Sequence, residues 1–161
     1  MKTVIFIRHG KSSWDLEVSD RDRPLKERGI KDAYLVGEYL YAINKEITAA
    51  YASPANRALH TAIIVLKTIG FNLQNFFVSN DLYDFSGESV LQFLKNLENK
   101  HDCVLVFGHN HAFTEMVNKL GNTYLDNLPT AGMAILNFDI ENWTNITKGK
   151  TEKLIFPKEL R

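Results

Sequence analysis

The chain has 161 residues, of which 45% are hydrophobic and 24% charged, with a formal net charge of zero. That is the profile of one globular domain with a substantial core, and 1–161 reads as a single domain. The charge balance argues against a nucleic-acid or membrane-surface partner, which would need a basic excess. The only cysteine, Cys103, rules out an internal disulfide and fits a reducing compartment. The first apolar run, Val4 to Ile7, stops at Arg8, which is too short for a signal peptide, so a cytoplasmic protein is expected.

In chain order, Val4-Ile-Phe-Ile7 predicts a strand buried on both faces, ending in Arg8-His9-Gly10. A polar loop, Lys11 to Arg23, follows, and Pro24 is expected to open a helix with Ile30, Ala33, Val36, Leu40 and Ile43 on its apolar face. Ala49 to Ser53 reads as a short strand. Ser53-Pro54 reads as the start of a second helix, carrying Leu59, Ala62, Ile63 and Leu66 and stopped by Gly70. Phe76 to Val78 is a further strand, and Asp81 to Ser89 a loop leading into a helix with Val90, Leu91, Leu94 and Leu97. Cys103 to Phe107 is the second fully buried strand and ends in Gly108-His109-Asn110; Phe113, Met116, Val117 and Leu120 form the next helical face. Ala131 to Phe138 is a late strand, and Trp143 to Phe156 reads as a hairpin turning at Lys148-Gly149-Lys150. Strands and helices alternate throughout, which implies an α/β fold: a mostly parallel sheet with helices on both faces.

Three strand-to-helix junctions carry unusual polar groups: Arg8-His9-Gly10, Ser53-x-x-x-Arg57 and Gly108-His109-Asn110. In a parallel sheet all three lie at the same edge, so two arginines and two histidines converge there. Such a pocket suits phosphate, because guanidinium groups grip its oxygens in bidentate fashion. A neutral imidazole beside it is also a competent nucleophile toward phosphorus. Gly10-Lys-Ser12 is not a P-loop, since Ile5 stands where that motif needs glycine. His109-x-His111 lacks further metal-ligating partners in the sequence, and no metal is expected. Asp20-x-Asp22 follows a polar loop rather than a strand, unlike the nucleophile of an aspartyl phosphatase, and is set aside.

The string Arg8-His-Gly-Lys-Ser-Ser-Trp-Asp15, with Asp22-Arg-Pro-Leu-Lys-Glu-Arg-Gly29, Ser53-x-x-x-Arg57-x-x-x-Thr61, Gly108-His-Asn110 and Leu128-Pro-Thr-Ala-Gly132, resembles the histidine phosphatase superfamily. It is most similar to the small SixA-type phosphohistidine phosphatase branch. The resemblance implies a phosphoglycerate mutase-like fold, a Rossmann-like three-layer α/β/α sandwich, working without metal or organic cofactor. It implies His9 as the phosphorylated nucleophile, with Arg8, Arg57 and His109 holding the phosphoryl group and Ser12 adding a hydroxyl. The wider superfamily places a proton-donating carboxylate before the second histidine, and the candidates here are Asp84 and Glu88. His111 departs from the branch, which commonly has proline there. The implied partner is a protein carrying phosphohistidine. The alternatives are a small phosphorylated metabolite such as a sugar phosphate, or phosphate binding without turnover.

Overall fold

A computed structural model describes all residues, 1–161. The centre of the sheet is β1 (Lys2–Arg8), whose residues Val4 to Ile7 are wholly inaccessible to solvent. Around it are β2 (Ala49–Ala52), β3 (Phe76–Val78), β4 (Cys103–Gly108), β5 (Met133–Phe138) and β6 (Lys150–Ile155), in the order β3-β2-β4-β1-β5-β6. The first four strands run parallel, while β5 lies antiparallel to β1 and β6 antiparallel to β5. This is the mixed, mostly parallel sheet, with helices on both faces, that the alternation of strands and helices implied.

Successive side chains of a strand point to opposite faces, so the buried strands divide the core in two. Val4 and Phe6 of β1 with Val104 and Val106 of β4 pack under α3 (Glu88–Lys95) and α4 (Ala112–Leu120), where Phe6 and Phe113 meet at 4.9 Å between ring centres. Ile5, Ile7, Leu105 and Phe107 face the other way, under α1 (Glu27–Ile43) and α2 (Asn56–Ile69). Both long helices end in a left-handed residue that closes the last turn, Asn44 for α1 and Gly70 for α2.

Three expectations need correction. The first long helix starts at Glu27, not at Pro24, because residues 24–26 are used in a short antiparallel contact with the loop after β1. Ser13 donates to the Pro24 carbonyl and Lys26 to that of Lys11, each at 2.8 Å, and Ser12 bridges to Leu25. This contact brings the start of α1 against the loop after β1 so closely that a Cβ on Gly10 would lie 2.7 Å from the Gly29 carbonyl oxygen. Ser53 does not cap α2, which begins at Asn56 after Ala55; its hydroxyl is turned toward His109 instead. The tail is not a self-contained hairpin. Trp143 starts a short 3-10 turn and is fully buried, with its indole N–H donating to the His101 carbonyl at 2.9 Å, and β6 pairs with the edge that β5 would otherwise leave open.

Candidate active site

The three polar junctions follow β1, β2 and β4, which are adjacent and parallel, so they come together at the carboxyl end of the sheet. In the register, Arg8 sits opposite Gly108, which places His9 beside His109; their ring centres are 5.3 Å apart. Arg57 lies in the first turn of α2 and is only 2% exposed. Its Nε points at His9 Nε2 from 3.4 Å. Thr61, one turn further on, accepts from the Gly10 N–H at 2.9 Å and donates to the Arg57 carbonyl at 2.8 Å, tying the loop after β1 and α2 into one frame.

The tautomer of His9 follows from its partners. Nδ1 lies 2.7 Å from the Gly10 carbonyl, which can only accept, so Nδ1 carries the hydrogen and Nε2 carries the lone pair. Burial, helped by the neighbouring cations, pulls the His9 pKa from 6.5 down to about 3, so the ring is neutral near pH 7. His109 is lowered to about 3 as well, by burial first and by Arg57 next, with Asp20 opposing. Ser53, wholly buried, accepts from the Ala55 N–H at 3.2 Å, and its hydroxyl lies 2.8 Å from His109 Nε2. The serine hydroxyl makes no other bond in which it donates, so its hydrogen is assigned to that nitrogen, which leaves the His109 hydrogen on Nδ1.

Two buried side-chain atoms in the whole chain lack a hydrogen-bond partner, Arg8 Nε and His109 Nδ1. Both belong to this cluster. Arg8 is anchored through Nη1 to the Leu128 carbonyl at 2.8 Å, and Tyr83 and Phe85 wall the other side of His109 at 5.4 and 4.9 Å between ring centres. A neutral imidazole nitrogen faced by cations and by buried N–H groups is an arrangement chemically suited to an anion.

The remaining candidates are placed as follows. Ser12 is buried and its hydroxyl accepts from Arg23 Nη2, so it reaches the cluster only through that arginine. Asp84 does not face the histidines as a free acid. Its oxygens accept from the Ser86, Gly87 and Val90 N–H groups and the Ser86 hydroxyl, closing the start of α3. Burial resists its ionisation, but those donors outweigh it and hold the carboxyl below its usual range. Glu88 is exposed in the first turn of α3, with no hydrogen bond or ion pair to the cluster. His111 immediately precedes α4 and is exposed.

The carboxylate that does touch the cluster is Asp20, which the sequence reading set aside. Arg57 holds its carbonyl through Nη1 at 2.6 Å and its Oδ2 through Nη2 at 2.9 Å. Tyr83 donates to Oδ2 at 2.7 Å and Arg23 to Oδ1 at 3.0 Å. Burial opposes the charge on Asp20, yet the bonds from Tyr83, Arg57 and Arg23 prevail and bring its pKa to about 2. The one sequence signal for this network is an acid among arginines in the loop, Asp20-Arg-Asp-Arg23.

Two histidines buried neutral make the fold acid-sensitive, with a defined sign. Between their ordinary 6.5 and their native value of about 3, the unfolded chain binds protons that the folded chain refuses. Their contribution is therefore fully present above pH 6.5 and is lost as pH falls toward 3. Urea midpoints are expected to drop from pH 7 to pH 5, before most carboxylates titrate, and a midpoint constant over that range would contradict the burial described.

The chain is similar over most of its length to several known proteins. An uncharacterized protein of Mycobacterium tuberculosis is 26% identical over 153 residues, covering 89% of this chain and 93% of its own. The structure of the protein histidine phosphatase SixA complexed with tungstate superposes with a TM-score of 0.84 at 25% identity, covering 99% of both chains. The mycobacterial glucosyl-3-phosphoglycerate phosphatase in complex with VO3 shares the fold, with a TM-score of 0.69 at 12% identity over 95% of this chain and 98% of its own. No helix is long and apolar enough to cross a membrane. The family model of the histidine phosphatase superfamily (branch 1) matches residues 4–87, which include most of β1, Arg8-His9-Gly10 and Arg57, and the chain belongs to that superfamily.

Proposed function

We propose that the protein is a phosphatase working through a phosphorylated His9, and that its preferred substrate is phosphohistidine on a protein. The observation that carries the reading is the pairing of a lone-pair nitrogen, His9 Nε2, with the two buried side-chain nitrogens that have no hydrogen-bond partner, Arg8 Nε and His109 Nδ1, beside Arg57 Nε.

In the first step His9 Nε2 attacks phosphorus. The new N–P bond forms as the P–N bond of the substrate breaks, and the leaving electron pair stays on the substrate imidazole. Arg8, Arg57 and His109 hold the oxygens as charge redistributes. Water then attacks the phosphorylated His9, releases inorganic phosphate and restores the imidazole. The reaction written this way uses no metal or cofactor.

The choice of phosphohistidine over an ester rests on the leaving group. A protonated phosphohistidine ring departs as neutral imidazole, whose conjugate acid has a pKa of about 6.5, whereas an alkoxide needs a positioned acid. Asp84 is engaged at the helix start, Glu88 is exposed, and Asp20 is held ionised by its donors. The structural likeness to SixA, a protein histidine phosphatase, supports the same choice. The test is phosphate release in EDTA from a phosphohistidine-bearing protein against a panel of sugar phosphates. Rapid turnover of the phosphohistidine protein alone is expected. Preferred hydrolysis of a sugar phosphate, slowed by Glu88→Gln or Asp84→Asn, would replace this reading with a small-molecule phosphomonoesterase. Phosphate binding without turnover of either would replace it with a binding module.

A further inference from the structure

We infer that Asp20 is a positioning residue, which clamps Arg57 so that one edge of its guanidinium faces the phosphoryl group on His9; the inference rests on the reading of His9 and Arg57 above. A guanidinium is a planar fork with two edges able to make paired contacts, an end edge of Nη1 and Nη2 and a side edge of Nε and Nη2. Asp20 takes the end edge with two different oxygens, its main-chain carbonyl on Nη1 at 2.6 Å and Oδ2 on Nη2 at 2.9 Å. The side edge is left, and its Nε points at His9 Nε2 from 3.4 Å, where the new N–P bond forms.

Asp20 is itself braced from two sides. Oδ2 also accepts from the Tyr83 hydroxyl at 2.7 Å, and Oδ1 from Arg23 Nη1 at 3.0 Å. Arg23 is fixed in turn: Nε donates to the Ser13 carbonyl at 3.1 Å, Nη2 to the Ser12 hydroxyl, and its guanidinium carbon lies 3.2 Å from the Trp14 ring centre. The loop after β1 and the loop before α3 thus hold one carboxylate from opposite sides, and that carboxylate holds Arg57. Rotation of the guanidinium would break both contacts to Asp20 together. A side chain so constrained meets the transition state without reorganising, which is where an arginine contributes most to rate. The same carboxylate explains how two arginines, Arg23 and Arg57, lie close together without an uncompensated charge.

The test compares wild-type protein with Asp20→Asn and Tyr83→Phe, using a phosphohistidine-bearing protein as substrate and phosphate and vanadate as inhibitors. Asp20→Asn is expected to lower kcat by roughly 10- to 100-fold, as a misdirected catalytic group does, with little change in KM. Vanadate, which adopts the geometry of the transition state, should lose more affinity than phosphate. Tyr83→Phe, which removes one of the bonds to Oδ2, should shift the same quantities less. A fall in KM and tighter phosphate binding with kcat preserved would overturn the inference, since Asp20 would then be a competing internal anion. An unchanged kcat and vanadate affinity would also overturn it.

The Arg57 Nε–H resonance, assigned through its loss in Arg57→Lys, is read on the free protein without turnover. It should be slowly exchanging in wild type and broadened in Asp20→Asn, and an identical signal in both overturns the clamp. A wild-type protein that never carries phosphate on His9 would remove the functional reading, and this resonance would still report on the clamp alone.

Discussion

Replacing His9 with alanine is expected to abolish turnover, lowering kcat on the order of 10⁴-fold or more, the scale on which loss of a nucleophile is felt. The size of the effect follows from what the residue supplies. The Gly10 carbonyl fixes its hydrogen on Nδ1, burial keeps the ring neutral by lowering its pKa to about 3, and the free lone pair on Nε2 is turned toward Arg57. No other side chain in the cluster offers an uncharged nitrogen in that position, because His109 Nε2 faces the Ser53 hydroxyl. The variant should fold, since His9 lies just beyond the end of β1 and outside both apolar clusters. Its binding of phosphate should persist through Arg8, Arg57 and His109. Steady-state phosphate release measures the loss. Turnover near the wild-type rate would mean that phosphorus never bonds to His9.

The second large effect is expected at Arg57. Arg57→Lys keeps the positive charge and most of the length but replaces a planar fork with a single ammonium. In the native protein that fork serves the Asp20 carbonyl, the Asp20 carboxylate and His9 at once. A lysine cannot span the three, so kcat should fall by about 10²- to 10³-fold, the usual consequence of losing one preorganised donor to a transition-state oxyanion. Lysine is the cleaner substitution because alanine would remove one of the two cations that hold Asp20 and open a void at a residue only 2% exposed. If charge alone mattered, Arg57→Lys would retain nearly full activity, and that result would contradict the bidentate role.

Much of this was legible before the structure. Uninterrupted apolar runs such as Val4-Ile-Phe-Ile7 and Cys103-Val-Leu-Val-Phe107 are readable because a strand covered on both faces has no polar side to present. Parallel pairing of the strands they form then forces Arg8-His9 and Gly108-His109 to one edge, so the convergence of the polar junctions was an inference about topology rather than about side chains. What escaped was set by contacts distant in sequence. Pro24 reads as a helix start locally, but its carbonyl accepts from the Ser13 N–H and the Lys26 N–H donates to the Lys11 carbonyl, which delays α1 to Glu27. Ser53 reads as a cap, and its hydroxyl is drawn to a histidine 56 positions away. Lys2 carries no local signal of its place, yet it is only 2% exposed, with its ammonium held by Asp102 and the Asn99 and His101 carbonyls. Asp20 shows the same limit within the site: in a polar loop with no periodicity, nothing local marks which acid meets an arginine 37 positions on. Asp84 errs the other way, because its spacing matches an acid while its neighbours Ser86, Gly87 and Val90 supply the backbone donors of a helix start.

The most direct test of the account is a rapid alkaline quench of the purified protein during turnover of a ³²P-labelled phosphohistidine protein, with the label mapped by peptide sequencing. The account predicts acid-labile, alkali-stable label on the peptide containing Arg8-His9-Gly10, formed and lost at rates that match turnover. Phosphate release with no label on the protein, or label on any residue other than His9, would contradict it.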